Sequence, residues 1–93
     1  HCILCGAAAL GGSVTLEDWV VLGGQASLAH ATHVEKKARL GGLSGASGRV
    51  AGNETYTFAP IVPVREGHRI WRYFRRLPEI LKRLRRIEAR LGM

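Results

Sequence analysis

Two cysteines and two histidines have the spacing of reactive or metal-binding motifs. Cys2 and Cys5 are three residues apart, as in redox-active and zinc-binding pairs, and His30 and His33 have the same separation. A zinc ion needs four ligands, or three ligands and a water molecule. The sequence offers neither a second cysteine pair nor a suitably spaced third histidine, so we predict no metal site.

Other chemistry-bearing patterns do not assemble. No Ser/His/Asp set, phosphate-binding loop or pair of carboxylates can be built from the order and spacing of the residues. Two cysteines are too few for a disulfide scaffold, so a reducing compartment is the default environment. No apolar run approaches the roughly 18 residues that a membrane span requires. The function must therefore be sought in the elements that position these residues.

Positive charge is concentrated at one end of the chain. The net charge is +7, and residues 61–93 carry all of it, with ten Arg/Lys against three Glu. Such asymmetry favours an acidic partner, which could be a nucleic acid, an anionic membrane surface or an acidic protein. A solvated basic face is the alternative. No zinc-finger, RNA-binding or helix-turn-helix pattern accompanies the charge, so we predict no sequence-specific nucleic-acid recognition.

A branched aliphatic residue recurs at every sixth position of the first half. The positions are Leu4, Leu10, Leu16, Leu22, Leu28, Val34 and Leu40. Four residues after each lies a small or β-branched residue: Ala8, Val14, Val20, Ala26, Thr32, Ala38 and Ser44. Helices and strands have apolar periods of 3.6 and 2. A period of six instead indicates a short strand and a tight corner, repeated.

Three such units would close one triangular coil with both columns of side chains inside. We therefore predict parallel β-helix over residues 1–50, in slightly fewer than three coils. A Gly/Ala-rich region of irregular loops is the alternative. Glycines that follow the aliphatic residue, at Gly11, Gly23 and Gly41, would relax the backbone at corners. Because an end coil needs a cap and the repeat is in phase from the first residues, we expect further coils upstream.

The pattern changes after Val50. Residues 51–64 are predicted to form an extended connector, because each proline disfavours helix at the residue before it. Residues 65–93 are predicted to form a basic tail with helices at about 65–76 and 78–91. The tail carries a heptad seam of apolar residues: Ile70, Tyr73, Leu77, Ile80, Leu84, Ile87 and Leu91. So short a seam would gain most by packing against copies of itself or against the β-helix.

Four stretches carry a resemblance to one family. They are 10–16 (LGGSVTL), 21–25 (VLGGQ), 40–45 (LGGLSG) and 60–69 (PIVPVREGHR). They resemble the C-terminal part of the UDP-3-O-acylglucosamine N-acyltransferases, which are hexapeptide-repeat acyltransferases, and the resemblance covers essentially all 93 residues. Many acyl- and acetyltransferases share the hexads. The discriminating part is Pro-x-x-Pro-x-Arg-Glu-x-His-Arg leading into a Leu/Arg-rich helix.

The resemblance implies a mainly β fold with a C-terminal α part. Its form would be a left-handed parallel β-helix followed by a helical tail, assembled as a homotrimer with active sites between subunits. The implied enzyme moves a 3-hydroxyacyl chain from acyl carrier protein to the 2-amino group of UDP-3-O-acylglucosamine. This is a step of lipid A biosynthesis in the cytoplasm of Gram-negative bacteria, with a peripheral position at the inner membrane left open.

The resemblance also implies what the enzyme uses. No cofactor is expected, since the acyl group arrives on the phosphopantetheine of acyl carrier protein. The UDP-sugar is expected to bind through an upstream domain, and neither nucleic acid nor a membrane span is expected. The family's base is a histidine upstream of the position that matches His1. A chain limited to these residues is therefore expected to be an inactive fragment of the acyltransferase.

The resemblance assigns supporting roles to residues of this chain. The reaction needs a base for the amine and N–H donors for the thioester oxyanion. Gly12 matches a glycine whose N–H faces the thioester. His30, displaced by one residue from a family histidine, is a candidate supporting residue, with a surface or interface histidine as the alternative. The residues expected to leave room for the acyl chain along the helix side are Gly24, Gly41, Gly42, Ser44 and Gly45.

Acyl carrier protein, a strongly acidic protein, would be the partner of the basic tail. The residues expected to receive it are Arg49, Arg65, His68, Arg69 and Arg72. Two alternatives to the N-acyltransferase stay open. One is a sibling hexapeptide-repeat enzyme, either an O-acyltransferase or an acetyltransferase. The other is a non-enzymatic β-helix whose basic tail binds nucleic acid or membrane.

Overall fold

The computed structural model describes all 93 residues, and its first part is a parallel β-solenoid of three sheets. The strands are β1 (Ile3–Leu4), β2 (Ala9–Leu10), β3 (Thr15–Leu16), β4 (Val21–Leu22), β5 (Ser27–Leu28), β6 (His33–Val34), β7 (Arg39–Leu40), β8 (Gly45–Ala46), β9 (Arg49–Val50), β10 (Thr55–Thr57) and β11 (Val62–Pro63). The sheets run β1-β4-β7-β10-β11, β2-β5-β8 and β3-β6-β9. All pairs are parallel except β10 with β11. The predicted parallel β-helix with a helical tail is confirmed.

Successive coils stack in register. Ile3 pairs with Val21, and Val21 pairs with Arg39, so one full coil takes three hexads. The interior holds the two predicted columns, with Val20, Leu22, Ala26, Leu28, Thr32, Val34, Ala38, Leu40 and Ser44 all buried. The buried hydroxyls of Thr32 and Ser44 donate to the carbonyls of Ala29 and Gly41 at 2.7 and 2.6 Å, which satisfies both groups inside the coil.

The corners differ from the prediction. The left-handed backbone conformation recurs at every sixth residue through the first seven corners, at Ala7, Ser13, Trp19, Gln25, Ala31, Lys37 and Leu43, none of which is a glycine. At the corner between β8 and β9 it falls on Gly48. Gly11 and Gly23 are required for another reason, the close approach of the next coil. A Cβ at Gly11 would lie 2.7 Å from the backbone N of His30, and one at Gly23 would lie 2.6 Å from the N of Gly42. These glycines therefore allow stacking and do not relax the corner.

The β-helix continues beyond the predicted boundary at Val50. Arg49 pairs with His33, so the corner between β8 and β9 is two residues shorter than its counterpart one coil earlier. The phase then resumes, and β10, inside the segment predicted as a connector, pairs in parallel with β7. Tyr56 of β10 fills the interior, and its hydroxyl donates to the carbonyl of Ala51 at 2.8 Å. β11 then returns antiparallel to β10 and leads into the tail.

The tail consists of helices α1 (Val64–Arg75) and α2 (Leu77–Arg90), which break at Arg76. α1 packs against β10 and β11 through Gly67, which is buried, and a Cβ there would collide with Cγ2 of Thr57. α2 has no buried residue, and the molecule extends over 59 × 22 × 21 Å. The apolar seam of α2 therefore lies open in the single chain. Neither helix combines the length and apolarity of a membrane span.

Candidate acyl-transfer site and carrier surface

Gly12 and His30 meet at one corner of the β-helix. They are one coil apart, and the N–H of Ala31 donates to the carbonyl of Gly12 at 2.7 Å. A Cβ at Gly12 would lie 3.1 Å from Nδ1 of His30, so the missing side chain is what lets the imidazole lie over this corner. The structure thus brings together the two residues that the sequence assigned to the reaction centre.

This corner also offers hydrogen-bond donors. The N–H of Gly11 donates to the carbonyl of Leu28 at 2.8 Å, whereas the N–H groups of Gly12 and His30 donate to no group within the chain. Both residues are exposed. Free backbone N–H groups beside an imidazole are the kind of donors that stabilise a developing oxyanion. The corner can therefore receive a carbonyl oxygen that gains negative charge.

The five residues expected beside the acyl chain do not form one groove. Gly24 and Gly42 stack at a second corner, where a Cβ at Gly42 would lie 3.3 Å from the carbonyl O of Gly24. Gly45 instead faces Ala59, and Gly41 lies under the carbonyl of Tyr56. Ser44 points into the interior and is 1% exposed, so its side chain lines no outer surface.

Two open cavities flank Ala59. One, of about 490 Å³, lies between the second corner and α1 and contains both Gly42 and His68. The other, of about 360 Å³, contains Gly45 and is lined by β5 and β8 residues such as Ser27 and Ala46. The first cavity therefore joins a residue of the predicted acyl groove to a residue of the predicted carrier surface.

Four of the predicted carrier-binding residues share one face of α1. Arg65, His68, Arg69 and Arg72 have the spacing i, i+3, i+4, i+7, and all four are exposed. The carboxylates of the chain form no ion pair with any of them. Arg49 is not part of this face. It lies on β9, where its Nε donates to Oε2 of Glu35 at 2.6 Å.

Sequence reasoning missed a pair of carboxylates that link the coils. Oε2 of Glu17 lies 2.5 Å from Nε2 of His33, and Oε1 of Glu17 accepts the N–H of Lys36 at 3.2 Å. One coil further, Glu35 binds Arg49 and accepts the N–H of Gly52 at 3.1 Å. Hydrogen bonds from His33 and Arg49 hold the pKa values of Glu17 and Glu35 below their usual range.

These pairs account for His33, one of the two histidines with zinc-like spacing. Its imidazole bonds to Glu17, while His30 lies over Gly12. Cys2 donates its thiol to the carbonyl of Glu17 at 3.2 Å. No group of three or more His, Cys, Asp or Glu side chains converges in the structure. The charged pairs of this face therefore act within the β-helix, between one coil and the next.

Comparison with known proteins gives one consistent relationship. No family model matches the chain. It is 34% identical over 77 residues to the UDP-3-O-acylglucosamine N-acyltransferase of Methylobacterium sp. (strain 4-46), and 35% identical over 69 residues to that of Methylobacterium nodulans. It is also 34% identical over 65 residues to a probable UDP-3-O-acylglucosamine N-acyltransferase 2, mitochondrial, of Arabidopsis thaliana.

The matches cover most of this chain and a small part of each relative. They span 83%, 74% and 70% of the chain, but 22%, 20% and 21% of the respective relatives. The chain thus spans about a fifth of the length of the curated relatives that it matches. The resemblance found in the sequence is confirmed, and it supports membership of the acyltransferase family.

Proposed function

We propose that this chain, which resembles a segment of the UDP-3-O-acylglucosamine N-acyltransferases, is the C-terminal part of such an enzyme. The proposed reaction transfers a 3-hydroxyacyl chain from acyl carrier protein to the 2-amino group of UDP-3-O-acylglucosamine, in lipid A biosynthesis in the bacterial cytoplasm. Beyond the resemblance, the observation that carries this proposal is the corner at which Gly12 and His30 meet with free N–H groups.

The corner fits the charge that acyl transfer develops. The amine nitrogen attacks the thioester carbon, the carbonyl oxygen becomes an oxyanion, and the carrier thiolate leaves as the tetrahedral intermediate collapses. The N–H of Gly12 would donate to that oxygen, and the imidazole of His30 would support the same intermediate. The base that takes the proton from the amine would come from a segment outside these 93 residues, so the chain alone would be inactive.

Variants of this corner test the proposal in the full-length enzyme. Gly12→Ala would press a Cβ against the His30 ring, and we expect kcat to fall by about a hundredfold, the lower end of the losses that follow removal of one oxyanion donor. Asp18→Ala places a methyl group at the corresponding position of the next corner, where the Asp18 side chain is exposed, and as the control it should leave kcat unchanged. Equal rates for both variants would refute the role of the corner.

The product identifies the reaction. An amide at the 2-position of the glucosamine, formed from acyl carrier protein, supports the N-acyltransferase. An ester product, or transfer of acetyl groups from a small thioester, would replace it with the sibling enzyme. Absence of any acyl transfer by the full-length protein, together with salt-sensitive DNA binding, would favour the non-enzymatic alternative.

We propose the α1 face of Arg65, His68, Arg69 and Arg72 as the surface that receives acyl carrier protein. Opposite charges on two surfaces mainly accelerate encounter, and salt screens the effect. Reversing Arg65, Arg69 and Arg72 to Glu should therefore lower the association rate at least tenfold at low salt. Reversing Lys82, Arg85 and Arg86, which lie away from the apolar seam of α2, changes the net charge equally and is the control. Equal losses would mean that net charge, and not this face, attracts the carrier.

We further propose that the tail contributes to a homotrimer. In the heptad of α2, Leu77, Leu84 and Leu91 occupy one core position and Ile80 and Ile87 the other. Leu at a with Ile at d favours assemblies of more than two strands. In a parallel arrangement Arg83 would lie opposite Glu88 of a neighbouring copy, which is an attractive pair. Burial among three copies would remove the open apolar seam from water.

A further inference from the structure

A column of corner residues on the outside of the β-helix carries aromatic rings that the proposed reaction does not use. His1, Trp19 and Lys37 follow one another at the same corner, one coil apart. The imidazole of His1 stacks on the indole of Trp19, with ring centroids 4.6 Å apart and an angle of 11° between the planes. This separation is close to the roughly 4.8 Å between neighbouring strands, so the two rings follow the repeat of the coils.

The column of rings ends at Lys37. The N–H of Lys37 donates to the carbonyl of Asp18 at 3.0 Å, which fixes this residue at the corner that stacks on Trp19. The indole is 53% exposed, and the only ring that stacks on it is that of His1. One more flat ring, supplied by a ligand, could therefore extend the column over the aliphatic stem of Lys37.

A cavity of about 390 Å³ lies beside these rings. Ile3, Trp19 and Val21 form its apolar wall, and the remaining lining residues are His1, Lys37 and Arg39. The outward-facing residues of β1, β4 and β7 contribute to it in register, since Ile3 pairs with Val21 and Val21 with Arg39. This volume, with an apolar wall and few polar groups, is typical of small-ligand sites.

The cationic groups of this cavity are not neutralised within the chain. Lys37 and Arg39 are exposed and take part in none of the ion pairs of the structure. No carboxylate lines the cavity, because Glu17 and Glu35 bind side chains of the β3-β6-β9 sheet and Asp18 lies outside the lining. Two free cations beside an exposed indole complement a ligand that has a flat ring and at least two negative charges.

We propose that this cavity binds a purine nucleotide. The base would stack on Trp19, and the phosphate groups would reach Lys37 and Arg39, since ammonium and guanidinium groups both bind phosphate. A purine is favoured over a pyrimidine because its larger ring covers more of the indole. The site lies at a different corner from Gly12 and His30, and its ligand differs from the pyrimidine nucleotide UDP of the proposed acceptor. It therefore does not depend on the proposed function.

Fluorescence of Trp19 tests the site directly. Trp71→Phe leaves Trp19 as the only tryptophan and keeps an aromatic ring beside Phe74. ADP, UDP, adenosine and pyrophosphate are titrated with excitation at the red edge of tryptophan absorption, where the bases do not absorb. ADP should quench Trp19 saturably, with a Kd at least threefold lower than that of UDP and at least tenfold lower than that of adenosine, which lacks the charge. Pyrophosphate, which lacks the ring, should not quench.

A matched pair of lysine variants locates the phosphate groups. In the same background, Lys37→Gln removes a lining cation, and glutamine already occupies this corner conformation at Gln25. Lys36→Gln removes the same charge from the adjacent exposed residue, which does not line the cavity, and is the control. The Kd for ADP should rise at least fivefold in Lys37→Gln and stay within about twofold in Lys36→Gln, with unchanged circular dichroism in both.

Four outcomes would overturn the proposal. Equal Kd values in the two lysine variants would place ADP elsewhere, such as on the basic tail. Equal affinity for ADP and adenosine would remove the role of the cations, and equal affinity for ADP and UDP would remove the preference for a purine. Trp19 emission that depends on protein concentration before any ligand is added would show that a second copy of the chain covers the cavity. The titration contains no acyl donor, so ADP binding together with failed acyl transfer would refute only the proposed function.

Discussion

The β-helix and the tail use the same aliphatic residues with opposite results. Leu22, Leu28 and Leu40 of the β-helix are between 0 and 3% exposed. In the tail, Ile80, Leu84 and Leu91 are between 37 and 65% exposed. Each hexad stacks on the corresponding hexad of the next coil in the same chain, whereas the heptad seam of the tail has no packing partner within the chain. The β-helix is therefore built by one chain, and the tail presents a surface that another molecule must complete.

Charge divides the molecule in the same way. In the β-helix, Glu17 and Glu35 bind side chains of neighbouring coils at 2.5 and 2.6 Å. In the tail the one ion pair is the long contact of 3.5 Å between Arg76 and Glu79. These carboxylates of the β-helix are thus used for cohesion within the chain. The charges of the tail remain available for an acidic partner.

The largest expected effect is a cavity in the β-helix core. Leu22→Ala should lower the free energy of unfolding by about 2–5 kcal/mol, because the buried side chain has no neighbour free to fill the space. Leu43→Ala removes the same residue type from a corner outside both columns, where it is 71% exposed. This substitution should lower the free energy of unfolding by clearly less than Leu22→Ala does. Urea unfolding followed by circular dichroism measures both, and equal losses would contradict the stacking of coils as the source of stability.

The next effect concerns the junction of the two regions. Gly67→Ala would drive a Cβ into Thr57, and overpacking of this kind costs about 1–3 kcal/mol. Higher helix propensity of alanine offsets up to about 1 kcal/mol of that cost. We therefore expect α1 to lose protection in hydrogen exchange while the β-helix keeps it. Loss of protection in the β-helix as well would show that the two regions unfold together.

A polar substitution in the apolar seam of the tail should weaken trimer assembly, with a smaller effect per chain than the two substitutions above. Leu84→Gln places a polar group in the seam, and we expect the midpoint concentration of trimer dissociation to rise at least tenfold. Because this midpoint varies as the square root of the dissociation constant, the change corresponds to about 2.8 kcal/mol per trimer, or about 0.9 kcal/mol per chain. Lys82→Gln, on the opposite side of the same helix, is the control. Analytical ultracentrifugation measures both. A trimer that is unaffected by Leu84→Gln would have to be held by the β-helix alone.

The same contrast explains what the sequence could predict. The hexad columns predict the fold because every coil repeats the same spacing of aliphatic and small residues. Leu43 lies outside both columns, so the same spacing also predicts that this aliphatic residue is exposed. The strand at Thr55–Thr57 was missed because the corner after Ala46 is two residues short, which shifts the phase before Tyr56.

The candidate site was predictable only in part. Gly12 and His30 are one coil apart, so the repeat itself places them together. The Glu17–His33 bond joins residues 16 apart on neighbouring coils, where no short motif signals a partner. The cavity that joins Gly42 to His68 depends on how α1 docks, which is set by the contact of Gly67 with Thr57. Contacts between elements that do not repeat escape a periodic pattern.

The smallest expected effect is the pH dependence of the carboxylate links. The pKa of Glu17 in the folded chain lies below its ordinary value of 4.5, chiefly because of the hydrogen bond with His33. A depressed folded pKa means that the carboxylate stabilises the fold above pH 4.5, and that this contribution is lost as the pH falls through the folded pKa. Glu17→Gln should therefore lower the thermal midpoint at pH 7 and cease to matter in strong acid. Glu66→Gln on α1, where the carboxylate has no ion-pair partner, should show no such convergence. If both variants behave alike, the links between coils contribute no more than the isolated charges of the tail.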